Sequence, residues 1–135
     1  MKLIVLAALT VFATNTFAKT TKKDCSLFIL NPRITHSMYG ENTGNNKVNN
    51  GVLSILTKNG FSISTNASKA KYSMETEVRC TKGWTMFGLQ DSCQTEVTFV
   101  DNVEEKIVYT DGPTSPIMGL NIDYNNINFP KCSDL

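Results

Sequence analysis

Tyr72-Ser73-Met74-Glu75-Thr76-Glu77-Val78-Arg79-Cys80 and Cys93-Gln94-Thr95-Glu96-Val97-Thr98-Phe99 are the two stretches that decide the fold. Apolar and polar side chains alternate in both, the pattern of strands with one face buried and one wet. Tyr72, Met74, Thr76, Val78 and Cys80 share the inner face of the first, and Cys93, Thr95, Val97 and Phe99 that of the second. One cysteine ends a strand and the other begins the next, both on the core side. If the strands form a hairpin, residues 81–92 are its loop, and Cys80 and Cys93 face each other within disulfide reach.

The other two cysteines, Cys25 and Cys132, then form the second bridge. It closes a loop of more than one hundred residues, for which chain entropy gives roughly 4–5 kcal/mol. Zinc would require ligands two to four residues apart or several histidines, and thiol exchange would require Cys-x-x-Cys. The chain has neither pattern and a single histidine.

Two disulfides imply an oxidising compartment, and the amino terminus agrees. Lys2 precedes an apolar run from Leu3 to Phe12, and small residues at Thr16 and Ala18 fit a signal-peptide cleavage site. The run is too short for a transmembrane anchor. Cys25 follows Lys22-Lys23-Asp24, not the small-residue box that lipid attachment needs. Cleavage after Ala18 leaves residues 19–135 as one disulfide-braced domain, with twelve basic and twelve acidic residues. A neutral chain lacks the basic footprint of nucleic-acid binding.

Outward from the central strands, Cys25-Ser26-Leu27-Phe28-Ile29-Leu30 reads as a first strand covered on both faces, ending at Asn31-Pro32. Residues 40–46 read as a loop. Val48, Val52, Ile55 and Leu56 recur at helical spacing, so a helix is expected over 47–58, stopped by Asn59-Gly60. Phe61-Ser62-Ile63 is a short strand, residues 101–105 a turn, and residues 106–110 a further strand. After Asp111-Gly112-Pro113, Ser115-Pro116 reads as the start of a second helix carrying Ile117, Leu120, Tyr124 and Ile127 on one face. The expected fold is α+β, order β-α-β-β-β-β-α: one mainly antiparallel sheet with two helices packed on one face.

This order, with Asn59-Gly60-Phe61-Ser62-Ile63, then Ala70-Lys71-Tyr72-Ser73-Met74-Glu75-Thr76-Glu77-Val78, then a terminal Phe129-Pro130-Lys131-Cys132, resembles a group of small bacterial periplasmic α/β domains. They are the amino-terminal domain of the translocation protein TolB and the domains of lipopolysaccharide-transport lipoproteins and curli-secretion components. The resemblance covers residues 51–100. Lys71 stands where such domains usually carry an acidic residue, and the lipid-carrying cysteine is absent. It implies an interaction module without catalytic residues.

The residues themselves point the same way. His36 reads as a surface histidine, since no nucleophile motif accompanies it. Asp101, Glu104 and Glu105 lack the ligand spacing of a calcium loop and read as a solvated turn, and Asn66-Ala67-Ser68 matches a glycosylation acceptor that, behind a bacterial-type leader, reads as a chance match. The unusual stretch is Lys82-Gly83-Trp84-Thr85-Met86-Phe87-Gly88-Leu89, which gathers four large apolar side chains, the single tryptophan among them, around two glycines in a loop tied at its base. Either it folds back over one end of the core or it is an exposed anchor of the kind enriched at interfaces. Nearness to the tip places Trp84 and Met86 outward and Phe87 and Leu89 inward.

The expected function is a noncatalytic binding or assembly module of the bacterial envelope, periplasmic or secreted, using neither cofactor nor metal. Its partner would be another envelope or secreted protein, with Trp84, Met86 and Phe87 as contact residues. The alternative is a secreted inhibitor of a hydrolase such as a lysozyme or protease.

Overall fold

The computed structural model describes residues 21–42 and 48–135, so the leader at 1–18 and most of the loop expected at 40–46 lie outside the described residues. Among these, eight strands and one α-helix follow in order: β1 (Ser26–Ile29), β2 (Arg33–His36), β3 (Gly40–Asn42), α1 (Asn50–Lys58), β4 (Ser62–Ser64), β5 (Tyr72–Thr85), β6 (Gly88–Asp101), β7 (Lys106–Asp111) and β8 (Ile117–Met118). A 3₁₀ turn covers Cys132–Asp134.

The long strands β5 and β6 pair antiparallel in one register from Tyr72↔Asp101 to Thr85↔Gly88. Because β6 takes one edge of β5 throughout, β1 and β2 share the other end to end. Both run parallel to β5, with Leu27 opposite Tyr72 and His36 opposite Cys80. Short β4 and β3 pair outside them, and β7 and β8 lie on the far edge of β6.

The expectation of a mainly antiparallel sheet under two helices is therefore corrected: the sheet mixes parallel and antiparallel pairs, and the described residues are mostly strand with one α-helix. Its parallel pairs arise because the segment through β2, β3 and α1 is long enough to return the chain in the same direction. The second helix is replaced by β8 and an irregular segment. Gly119 turns the chain there at φ +92°, and the asparagines after it are poor helix formers. Backbone groups of this segment find side-chain partners on the sheet instead, as when Asp123 N–H donates to Thr95 Oγ1 at 2.9 Å. Gly112 is required by contact, since a Cβ there would stand 2.6 Å from the Thr95 carbonyl oxygen.

Helix α1 begins as its sequence dictates. Asn49 accepts the Val52 N–H at 2.9 Å, and Gly60 follows the last turn at φ +90°. Val52 and Leu56 are buried, while Ile55, expected inward, is exposed. They pack with Leu27, Phe61, Tyr72, Met74, Val97, Phe99, Tyr124 and Ile127 on one face of the sheet. Each large apolar side chain fully buried there contributes about 1.5–3 kcal/mol.

Both expected disulfides form: Cys25–Cys132, with Cα atoms 5.9 Å apart, and Cys80–Cys93, at 4.1 Å. The first links the start of β1 to the last turn at one end of the molecule. The second bridges β5 and β6 within a smaller apolar cluster of Val78, Ile34 and Ile122.

The turn expected at 101–105 is held by a buried carboxylate. Asp101 Oδ1 accepts the backbone N–H groups of Val103 and Glu104, and Oδ2 pairs with Lys71 Nζ at 2.7 Å. The Lys71 ammonium and then these amides hold the Asp101 carboxyl at about 2, against an ordinary value of 3.8. A folded value below the unfolded one stabilises the fold above pH 4, and that stability is lost as pH falls from about 4 to 2. Asp101→Asn should therefore lower the melting temperature at pH 6 while flattening its decline between pH 4 and 2. A decline as steep as in the parent protein would contradict this assignment.

Candidate functional site

Beyond the Cys80–Cys93 bridge, residues 81–92 do not form a loop. β5 and β6 continue in register through Lys82↔Asp91 and Trp84↔Leu89, and Met86 and Phe87 make a two-residue turn closed by Gly88 at φ +102°. Thr85 fastens that turn: its Oγ1 accepts the Phe87 N–H and donates to the Gly88 carbonyl oxygen. β2 leaves β5 at Cys80 and β8 leaves β6 at Ser92. The last part of the ribbon therefore projects past its neighbours, and among the described residues no strand pairs with the outer edges of 83–85 and 88–90.

Strand alternation fixes what the projection carries. Lys82 and Trp84 continue the face of Val78 and Cys80, and Asp91 and Leu89 continue that of Cys93. The covering layer ends before reaching them, so Trp84, Met86 and Phe87 are 81, 90 and 77 % exposed and Leu89 is 51 % exposed. The cover reading of this stretch, and the inward placing of Phe87 and Leu89, are thereby corrected. Further exposed apolar side chains flank the base: Met38 and Tyr39 beyond the end of β2, and Met118 and Leu120 at and after β8.

His36, expected at the surface, is buried and braces this base. Its Nε2 lies 2.9 Å from Asp91 Oδ1, and its Nδ1 accepts the Met38 N–H at 3.0 Å. The acceptor role of Nδ1 places the proton of the neutral ring on Nε2, which donates to Asp91. Tyr39 stacks at 4.5 Å on the His36 ring, and Lys82 Nζ reaches the Tyr39 hydroxyl at 3.2 Å. The Tyr39 hydroxyl holds the Lys82 ammonium above its ordinary value. Sequence reasoning missed this cluster, because Asp91 is 55 positions from His36.

Two concave surfaces lie away from the hairpin. A groove of about 290 Å³ opens where β1 gives way to β2, lined by Arg33, Glu41, Glu75, Glu77 and Glu96. Arg33 and the neighbouring Arg79 are within 4 Å of three of those carboxylates. A shallower depression at the opposite end from the hairpin gathers Lys22, Lys23, Lys58 and Lys131 beside the Cys25–Cys132 bridge. Lys58 there stands in the last turn of α1, where a cation offsets the helix dipole. Among the described residues, no group of three or more His, Cys, Asp and Glu side chains is placed to hold a metal ion. No described helix is long and apolar enough to cross a membrane.

Trp84 is the single tryptophan, so its fluorescence reports the hairpin alone. Its emission maximum should lie at the long-wavelength position of indole in water. Trp84→Ala should shift the melting temperature by less than about 3 °C, as for an exposed side chain. A blue-shifted maximum with a loss of several degrees would place the ring in the core.

No family model matches the chain, and no curated protein matches it. Among solved structures it is similar to the lipoprotein GNA1162 from Neisseria meningitidis, at 10 % identity and a TM-score of 0.47, over 75 % of this chain and 88 % of that one.

Proposed function

We propose that the protein is an exported, noncatalytic docking module of the bacterial cell envelope and that the hairpin end is its protein-contact surface. The observation that carries this reading is the exposure of Trp84, Met86 and Phe87 on an ordered ribbon rather than a loose loop. Large apolar side chains held in water without a packing role are the ordinary mark of an interaction site. Tryptophan and other aromatics are also the residues that dominate binding energy once covered. Preorganisation adds to this, since little conformational freedom remains to be lost when a partner closes over the turn.

The export part of the proposal rests on the signal-like leader and on the two disulfides, which fit an oxidising compartment. The noncatalytic part is supported by His36, whose two ring nitrogens are engaged by Asp91 and the Met38 backbone. The hydrolase-inhibitor reading keeps one observation in its favour: a convex, disulfide-braced hairpin has the shape that enters an enzyme cleft. Assays of lysozymes and proteases with the chain in excess separate the two, because inhibition lost in Trp84→Ala would select the inhibitor.

A photoreactive amino acid placed at Phe87 and activated in intact cells should give a discrete covalent adduct with a protein. The same probe at Ile107, also exposed but on the edge strand β7, should not. No adduct from position 87, or equal adducts from both positions, would contradict the assignment of the surface.

A further inference from the structure

Resting on the reading that the hairpin end is a protein-contact surface, we infer that the protein covering it is a second copy of this chain. Two hairpin ends meet about a two-fold axis and form a homodimer. The first support is area. Tyr39, Trp84 and Phe87, at 68, 81 and 77 % exposure, leave roughly 350–550 Å² of aromatic surface in water if each ring contributes ~150–250 Å². Met38, Met86, Leu89, Met118 and Leu120 enlarge the same end. The aromatic rings alone match the largest patch expected of a monomer, ~300–600 Å², and the whole approaches the ~800 Å² per partner of a standard interface.

Charge supplies the second support. Residues 83–90, Gly-Trp-Thr-Met-Phe-Gly-Leu-Gln, carry none. An isologous contact sets the residues nearest its two-fold axis against their own copies, so a charge at the centre of the tip would face itself. The charges that bound the tip are Lys82 and Asp91, opposite in sign and directly across the ribbon. Two such ends therefore present each other with matched rather than like charges.

A third support is the edge itself. Strand edges that must stay single are ordinarily blunted by lysine, proline or a bulge. The projecting edges of 83–85 and 88–90 are blunted only by their shortness: they carry no lysine or proline, and the register shift of β6 lies far away between Phe99 and Val100. A second hairpin is the partner whose edge is guaranteed to be present whenever the first is.

Sedimentation equilibrium of the oxidised mature chain at ~10–100 µM should give twice the chain mass, within the range of affinities that standard interfaces show. Trp84→Glu, which places a carboxylate against its own copy, should weaken the dimer by roughly 30-fold or more, as a hot spot does. Phe87→Glu should act alike, and Ile107→Glu should leave the dimer intact. Melting curves and both disulfides are checked in each variant, and two tip variants guard against a single misfolded one. A monomeric parent chain, or a dimer insensitive to both tip variants, overturns the second-copy inference. If that monomer still gives a hairpin adduct with a different protein in cells, the docking surface stands and only the occupant changes. A monomer that instead co-sediments with phosphatidylglycerol vesicles overturns the inference in favour of lipid.

Discussion

The structure depends on one paired ribbon. Fourteen residues of β5 face fourteen of β6 without a break in register, and β1, β2, β7 and β8 are short segments laid along its two edges, with β3 and β4 outside β2 and β1. Because side chains alternate with period two, this register decides at once which side chains reach the core. Shifting β6 by one residue against β5 would send Val97 and Phe99 into water and separate Cys80 from Cys93. The Cys80–Cys93 bridge is thus a covalent record of the register as well as a brace.

The ribbon is longer than the core it supports. Its fourteen residues span ~45 Å at ~3.3 Å per residue, and α1 with the irregular carboxyl-terminal segment covers it only from Phe61, Met74 and Phe99 as far as Val78 and the Cys80–Cys93 bridge. Cys25–Cys132 closes that covered end, with a sequence separation of 107. At the other end the ribbon outruns β2, β8 and the covering layer together. What projects is set by the same alternation that builds the core, which is why the projecting face is apolar. Tyr39, His36, Asp91 and Lys82 form a polar collar at its base and hold the ribbon where it leaves the sheet.

Much of this was legible in the sequence because it rests on local signals. Period-two alternation located β5 and β6 and placed both cysteines inward, and the two disulfides followed from that placement. The spacing of Val52 and Leu56 and the Asn59-Gly60 stop marked α1, while its cap at Asn49 is seen only in the structure. The rest was written in contacts that no local pattern reports. Parallel pairing of β1 and β2 with β5 is a matter of tertiary return. The spacing of Ile117, Leu120, Tyr124 and Ile127 imitates a helical face, yet Gly119 and the sheet's own hydroxyls at Thr76 and Thr95 draw the segment into an irregular path. For the hairpin the signal was present and outweighed by composition. Lys82 with Asp91 and Trp84 with Leu89 continue the alternation of the strands, while the glycines on either side suggested a loop.

The ribbon continues past its disulfide and carries its apolar side chains in water. Cys80 and Cys93, with Cα atoms 4.1 Å apart, have the close spacing of a non-hydrogen-bonded pair, so Lys82–Asp91 and Trp84–Leu89 are close pairs as well. A nuclear Overhauser spectrum should show Hα–Hα contacts across both of these pairs, with no contact from the Trp84 indole to the methyl groups of Val78 or Ile122. Missing cross-strand contacts, together with an indole seated against those methyl groups, would return residues 81–92 to a loop folded over the core and contradict the account.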